Sequence, residues 1–158
     1  MLPGMPDQTD VVTVERLIAA PPEPIFELLV DPSRHRAIDG SGTVRDPKGE
    51  AQRLALGARF GMSMKLGVPY SMVSTVIEFE ENRRVAWQTR GPGRIGALVG
   101  GRVWRYELEP VEGGTRVRES WDITGESSVT KFVVRRARDE ARTNMAVTLE
   151  RIERIVVG

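Results

Sequence analysis

Cysteine is absent from the 158-residue chain and histidine occurs once, which excludes several classes of site at the outset. Without cysteine there is no disulfide, no thiolate nucleophile and no cysteine-based zinc site. A metal site would need His35 together with carboxylates, and no helical His/Glu spacing supports one. We therefore expect no metal and no cofactor. No apolar run approaches the roughly 18–20 residues of a membrane span, so we expect no stable membrane insertion.

An excess of charge of either sign is also missing. The chain has 23 basic and 22 acidic residues, and its net charge of +1 gives no electrostatic reason to expect nucleic acid as a partner. The first ten residues have neither the basic region nor the apolar region of a signal peptide. We interpret residues 1–10 as a flexible tail and residues 11–158 as a single domain, and we expect a cytoplasmic location.

The first third of the domain predicts one strand followed by two short helices. β-Branched residues indicate a strand over residues 11–19, which a proline cluster ends. Apolar residues at helical spacing predict a helix over residues 23–30. Asp31-Pro32 combines an N-cap residue with proline at the first helical position, so we expect a second helix over residues 32–38. An edge strand is expected over residues 43–46.

The middle of the chain is typical of consecutive strands. Apolar residues alternate with Gly, Ser and Lys over residues 60–66, and a period of two indicates a strand with one apolar face. Further strands are predicted over residues 72–80, 83–89, 102–109 and 115–124. Because short turns connect most of them, we expect an antiparallel sheet.

The C-terminal segment predicts one long helix, from residue 130 to about residue 157. At roughly 1.5 Å per residue it would be about 40 Å long, and apolar residues recur along it at helical spacing. This helix must cover the apolar face of the sheet. The predicted fold class is α+β: a curved antiparallel sheet of about six to seven strands, two short helices after the first strand, and a long C-terminal helix packed over the sheet.

Four local patterns carry a resemblance to a known family. They are Ile18-Ala19-Ala20-Pro21-Pro22-Glu23-Pro24-Ile25-Phe26; Asp31-Pro32 followed by His35 and Asp39-Gly40; Val76-Ile77-Glu78-Phe79 leading to Arg84-Val85-Ala86-Trp87; and Trp104-Arg105-Tyr106-Glu107-Leu108 with Gly113-Gly114-Thr115-Arg116-Val117. In order and spacing, residues 11–157 resemble the START-like (SRPBCC, Bet v 1-like) superfamily of helix-grip proteins. Within it, the chain looks like a bacterial member of the polyketide cyclase/dehydrase and lipid-transport group.

The resemblance implies a ligand site between the sheet and the C-terminal helix. Members of this superfamily bind lipids, sterols, hormones or polyketides, and some are cyclases or aromatases. Fold alone does not select among these functions. The group usually has an aromatic residue after its Asp-Pro segment, where this chain has Ala37-Ile38.

Glu119 is the most informative polar residue of the sequence. Strand residues two apart share a face, so Glu119 points inward if its apolar neighbours do. A buried carboxylate would serve as a ligand anchor, or as a general acid/base with a raised pKa assisted by Tyr106. Glu119 and Tyr106 are therefore the candidate catalytic residues. The alternative is a structural carboxylate that pairs with an arginine such as Arg105 or Arg16.

The predicted inner surface is rich in aromatic residues and methionine, which suits an apolar ligand site. Core packing is the alternative for the tryptophans, and a bond to the helix backbone or to a buried water is the alternative for Asn144 and Thr148. The predicted ligand-binding residues are Phe60, Met62, Met64, Thr75, Ile77, Trp87, Trp104, Trp121, Ala141, Asn144, Met145 and Thr148.

Three further patterns are interpreted as structural features without a catalytic or metal-binding role. Residues 91–96 match G-x-G-x-x-G, but no helix follows them, so we interpret residues 91–101 as a flexible loop at the mouth of the pocket. His35 is expected on an exposed helix without a role. The run of Arg135, Arg136 and Arg138 is interpreted as a solvated helix face.

Three hypotheses follow for function. The leading one is binding of a hydrophobic small molecule, such as a lipid or polyketide, with possible transport or sequestration. The second is a polyketide cyclase/aromatase or dehydratase-type enzyme that uses Glu119 for proton transfer. The third is a non-catalytic protein-interaction domain. We expect a monomer or a homodimer.

Overall fold

The computed structural model describes residues 10–40, 44–48, 52–66 and 68–158, with their side chains apart from those of 44–48, 62–66, 68–70 and 97. The strands are β1 (Val11–Ile18), β2 (Val44–Lys48), β3 (Arg59–Leu66), β4 (Val68–Glu80), β5 (Arg84–Arg90), β6 (Gly100–Val111) and β7 (Gly114–Asp122). The helices are α1 (Pro22–Leu29), α2 (His35–Ile38), α3 (Ser128–Val134) and α4 (Arg138–Val157), and short 3-10 helices cover Pro32–Arg34, Gly93–Ala97 and Arg135–Ala137.

The seven described strands form one antiparallel sheet in the order β1-β7-β6-β5-β4-β3-β2. Strands consecutive in the chain pair from β2 to β7, and β1 pairs with β7 at one edge. The β4–β5 turn contains Asn82 at φ 61°, and the β6–β7 turn contains Gly113 at φ 91°. These are the residue types that adopt left-handed backbone conformations most readily, so both turns are set by local sequence.

One face of the sheet, called the inner face below, carries the core. It holds Trp87 on β5, Tyr106 on β6, and Val117 and Trp121 on β7, all of them 8% exposed or less. The cross-strand register places Tyr106 opposite Glu119, so Glu119 shares this face. The opposite face, called the outer face, carries mainly polar and charged side chains such as Arg105.

The C-terminal helical segment is interrupted once. It begins at Ser128, two residues before the predicted start, because the Ser127 side chain accepts a hydrogen bond from the Val129 N–H and caps the helix. The 3-10 helix Arg135–Ala137 separates α3 from α4. The buried residues of α4 follow the predicted stripe and are Ala141, Met145, Thr148, Leu149 and Ile152.

The apolar core between the sheet and α4 consists of two clusters. The larger contains Trp87 and Tyr106, and the smaller contains Trp121. Val14 and Trp104 pack against both clusters. Glu119 lies directly opposite Val14 in the register of β1 and β7. A carboxyl group is therefore held at the junction of two apolar clusters.

Backbone contacts fix the segment after α2 to α4. The Gly40 N–H donates to Thr148 Oγ1 at 2.8 Å, and Arg151 Nη1 donates to the Asp39 carbonyl oxygen at 2.5 Å. A Cβ atom on residue 40 would lie 2.0 Å from the Asn144 carbonyl oxygen, so only glycine permits this approach. The contact anchors the two short helices against the C-terminal helix.

The predicted fold class is confirmed, since the structure has an antiparallel sheet, two short helices after the first strand and a long C-terminal helix. The limits of some elements differ: β4 begins at Val68, before the predicted residue 72. None of the described helices combines the length and the apolar composition that crossing a membrane requires.

The predicted boundary between tail and domain falls beside a buried residue. Residues 1–9 of the predicted tail lie outside the described residues. Asp10 is 3% exposed and pairs with Arg135 at 2.8 Å and Lys131 at 3.2 Å. The division into a tail and one domain stays a prediction.

Candidate functional site

Glu119 and Tyr106, called the polar pair below, lie side by side on the inner face. They are direct cross-strand partners on β7 and β6 and are 1% and 6% exposed. An interaction with the Tyr106 side chain shifts the pKa of the Glu119 carboxyl group. Glu119 Oε2 is buried and has no hydrogen-bond partner among the described residues. Buried polar atoms are nearly always paired, so this oxygen marks a site that can take a further partner.

Burial raises the pKa of the Glu119 carboxyl from its ordinary 4.5 to about 8. The Tyr106 hydrogen bond lowers this pKa, and the negative charge of Asp39 raises it. Burial and then the charge of Glu119 raise the pKa of Tyr106 well above its ordinary value. Near neutral pH both members of the polar pair are therefore mainly protonated. A protonated carboxyl can donate a hydrogen bond, which an ordinary glutamate at this pH cannot do.

The structural alternative for Glu119, an arginine partner, is wrong for both arginines considered. Arg105 lies on the outer face, where its Nη2 bonds Glu78 Oε2 at 2.6 Å. Arg16 Nη2 bonds Glu153 Oε1 on α4 at 2.9 Å. Both guanidinium groups are engaged elsewhere, so the Glu119 carboxyl faces Tyr106 and apolar side chains.

An aromatic cluster adjoins the polar pair. The Trp87 ring centroid lies 5.7 Å from Tyr106, 5.5 Å from Phe60 and 5.1 Å from His35, on which it stacks. The prediction that His35 is exposed is wrong: it is 7% exposed and its Nε2 contacts the Leu29 carbonyl oxygen at 2.8 Å. Burial lowers the pKa of His35 below its ordinary value, so a neutral ring completes this apolar wall.

The three tryptophans form a row across three neighbouring strands of the inner face. Trp104 lies directly opposite Trp87 on one side and Trp121 on the other. The two outer members are 8% and 3% exposed, whereas the middle one is only half-buried. The middle ring is therefore the most accessible member of the row. The row adjoins the polar pair, because Tyr106 lies two residues from Trp104 on β6 and Glu119 lies two residues from Trp121 on β7.

The part of α4 near this row contains small, polar and flexible residues. Ala141 is 7% exposed and Met145 is 1% exposed, and both belong to the same cluster as Trp121. Asn144 is half-buried. The Thr148 hydroxyl accepts from the Gly40 N–H and bonds the Asn144 carbonyl oxygen at 3.0 Å, so its hydrogen-bonding capacity serves the backbone.

Two predicted ligand residues, Thr75 and Ile77, do not join this group. Thr75 lies opposite Arg59 and Gln88 on the outer face, one position from the buried Val76. Ile77 occupies a β-bulge in β4 and is 40% exposed, because the bulge interrupts the alternation of faces after Val76. The side chains of Met62 and Met64 lie outside the described part of the structure, although the backbone of both residues belongs to β3.

Residues 91–101 differ from the predicted flexible loop at the mouth. They contain the 3-10 helix Gly93–Ala97 and the first residues of β6. Arg90 Nη1 donates to the Gly96 carbonyl oxygen at 3.1 Å, and Ser127 Oγ donates to the Leu98 carbonyl oxygen at 2.8 Å. The segment lies beside the outer face, since Arg90 and Gly96 line a cavity there.

The arginine run at the α3–α4 junction is only partly a solvated face. Arg135 Nε donates to buried Asp10 at 2.8 Å, and the Arg136 guanidinium lies 4.5 Å from the Phe132 ring centroid. Arg138 Nε is buried without a hydrogen-bond partner among the described residues.

The residues near the site that sequence reasoning missed are His35, which stacks on Trp87, and Asp39, whose charge acts on Glu119. Both follow the Asp31-Pro32 cap, and the buried side chains Pro32, His35 and Ile38 recur every third residue. That period was available as a signal for a buried histidine. Among the described residues, no group of three His, Cys, Asp or Glu side chains could hold a metal ion.

Comparison with known proteins assigns the chain to a family. The family described as polyketide cyclase/dehydrase and lipid transport matches residues 9–154. Uncharacterized protein Rv0088 of Mycobacterium tuberculosis is 34% identical over 134 residues, which cover 76% of this chain and 56% of that protein. The chain thus spans about half the length of the curated relatives that it matches.

Solved structures agree on the fold. Protein CV1439 from Chromobacterium violaceum matches with a TM-score of 0.70 at 15% identity, over 93% of this chain and 96% of that one. Protein MLL2253 from Mesorhizobium loti matches with a TM-score of 0.65 at 22% identity, over 91% and 94% of the two chains. Identities this low support the shared fold and no more.

Proposed function

Since the chain belongs to the polyketide cyclase/dehydrase and lipid transport family, we propose that it binds a hydrophobic small molecule with a carbonyl group. A lipid or a polyketide has this chemistry. The ligand lies between the inner face of the sheet and α4. The tryptophan row and the neighbouring residues of α4 supply apolar contact, and the polar pair supplies the hydrogen bond that orients the ligand.

The observation that carries this proposal is the unpartnered Glu119 Oε2 atom. Leaving a buried polar group unsatisfied costs about 1–3 kcal/mol. The raised pKa of about 8 makes the carboxyl a hydrogen-bond donor at neutral pH, and the partner it lacks is an acceptor. A ligand carbonyl provides an acceptor without introducing a charge into an apolar space.

The accessibility of the neighbouring residues supports a ligand at this position. Trp104 is half-buried on the inner face of the sheet. Asn144 is half-buried near the inward stripe of α4. A ligand between them would contact an aromatic ring and an amide. Ala141 presents only a small side chain in the cluster that it shares with Trp121.

The direct test is native mass spectrometry of the purified protein, followed by extraction and identification of co-purifying molecules. We expect one class of apolar, carbonyl-containing compound to co-purify with wild type. Much less of it should co-purify with the Glu119→Leu variant, which lacks the hydrogen-bond donor. The matched control is Glu112→Leu, at an exposed turn of the β6–β7 hairpin. A protein that carries no such molecule, and takes none up from a lipid extract, would contradict the proposal.

A second candidate function is an enzyme of the cyclase/aromatase or dehydratase kind. The specific observation is the pKa of Glu119, since a general acid or base works best when its pKa lies near the operating pH. Glu119 would transfer the proton and Tyr106 would hold the carboxyl in place. This candidate predicts that Glu119→Gln abolishes turnover of the extracted ligand class while binding persists. Equal turnover in both proteins would remove Glu119 from the reaction.

A further inference from the structure

A cavity lies on the outer face, behind the sheet and away from the polar pair. Its volume is about 300 Å³, at the lower end of the roughly 300–1,000 Å³ of small-molecule sites. Strands β3, β4 and β5 form its floor, and the glycine-rich segment after β5 forms one side. The lining residues are Arg59, Val73, Thr75, Gln88, Arg90, Gly91, Gly93 and Gly96.

The lining carries two positive charges. Arg59 and Arg90 both line the cavity, and none of its lining residues, all of which belong to the described part of the chain, is a carboxylate. Neither arginine forms a salt bridge among the described residues, whereas Arg84, Arg105 and Arg118 on the outer face each have a carboxylate partner. Arg59 and Arg90 therefore differ from these paired arginines of the outer face, and both can bind an external anion.

Backbone geometry holds one of the two guanidinium groups in place. Arg90 Nη1 donates to the Gly96 carbonyl oxygen at 3.1 Å, which ties the arginine to the loop beside it. A Cβ atom on residue 96 would lie 2.7 Å from the Gly91 carbonyl oxygen, so glycine is needed for the loop to fold this tightly. The remaining N–H groups of Arg90 keep the planar fork that binds phosphate or carboxylate oxygens.

We propose that the outer-face cavity binds a small organic phosphate monoester, independently of the ligand on the inner face. A phosphate monoester carries about −1.5 to −2 charges near neutral pH, which matches two arginines better than a single carboxylate does. The volume exceeds that of a phosphate group, so an organic substituent lies against Val73 and Thr75. Gln88 lies beside Thr75 in the strand register, and its Nε2 donates to the Gly101 carbonyl oxygen at 3.0 Å, which fixes this polar part of the floor.

The test is a titration with phenyl phosphate followed by ¹H–¹⁵N correlation spectra of the full chain at constant ionic strength. We expect saturable shifts at the amides of Thr75, Gln88 and Gly93, with weaker binding of inorganic phosphate. Arg59→Gln should weaken binding about tenfold or more, since it removes a charge-assisted hydrogen bond. Arg90→Lys keeps the positive charge but removes the planar guanidinium group. It should weaken binding of phenyl phosphate while the fold is retained.

The matched control is Arg94→Gln, an exposed arginine in the same loop that does not line the cavity. We expect it to leave phenyl phosphate binding within about twofold of wild type, the scatter normal for a surface change. Absence of saturation would overturn the proposal. Equal weakening by Arg94→Gln and Arg59→Gln would also overturn it, because binding would then reflect general surface charge. Tighter binding of benzoate would exclude the phosphate monoester.

Discussion

Replacing Glu119 by glutamine should change how the stability of the protein depends on pH. The ordinary pKa of 4.5 describes the carboxyl in the unfolded chain, and burial raises it to about 8 in the folded protein. Between these values the folded state keeps a proton that the unfolded state has lost, so the free energy of unfolding falls as pH rises. At about 1.4 kcal/mol per pH unit, the loss between pH 5 and 8 is roughly 3–4 kcal/mol.

The assay is urea unfolding of wild type and Glu119→Gln at pH values from 5 to 8. Glutamine has the size of glutamate and does not titrate, so the variant should lack the loss of about 3–4 kcal/mol over this range. The matched control is Glu78→Gln. Its bond to Arg105 lowers the pKa of Glu78 below 4.5, so its contribution is constant above that pH. Parallel profiles for wild type and Glu119→Gln would refute the reasoning, since the carboxyl would then be hydrated in the folded protein.

Three other changes test neighbouring parts of the account. Tyr106→Phe removes a hydrogen bond that lowers the pKa of Glu119, so ¹³C spectra should show that pKa rising above the wild-type value; a lower pKa would contradict the pairing. Gly40→Ala places a Cβ atom 2.0 Å from a backbone oxygen of α4. This variant should lower the free energy of unfolding, measured in urea, by about 3 kcal/mol or more. Gly125→Ala should be tolerated, because the nearest neighbours of its Cβ atom lie at 3.5 Å or beyond. Burial lowers the pKa of His35 below 6.5, so wild type should lose stability as pH falls from 6.5 towards that lower value, and His35→Gln should remove this loss; equal acid sensitivity of both proteins would contradict it.

Periodicity along the chain was sufficient to predict the architecture. Two-residue alternation identified the strands that face the helix, and the inward position of Glu119 followed from its place two residues from Val117 and Trp121. Helical spacing identified the stripe of α4 that includes Ala141 and Met145. These features depend on residues close together in sequence, which is why one sequence was enough.

The errors arose where distant segments meet or a strand is irregular. The bulge after Val76 turns Ile77 out of the alternation, and no local residue type announces it. His35 is buried because Trp87 and Phe60, both remote in sequence, close over its helix. The predicted arginine partners of Glu119 were wrong because partner choice depends on which side of the sheet each guanidinium reaches.

The central claim is that a protonated Glu119 donates a hydrogen bond to the carbonyl group of an apolar ligand. The most direct measurement is binding of 6-propionyl-2-dimethylaminonaphthalene, an uncharged fluorophore with one ketone whose emission reports hydrogen bonding. We predict that wild type binds it at pH 6.5 with hydrogen-bonded emission. Its affinity should fall above about pH 8, where the carboxyl loses its proton, whereas binding to Glu119→Gln should not change with pH. Binding to wild type that is unaffected by pH between 6.5 and 9.5, or no binding at all, would contradict the claim.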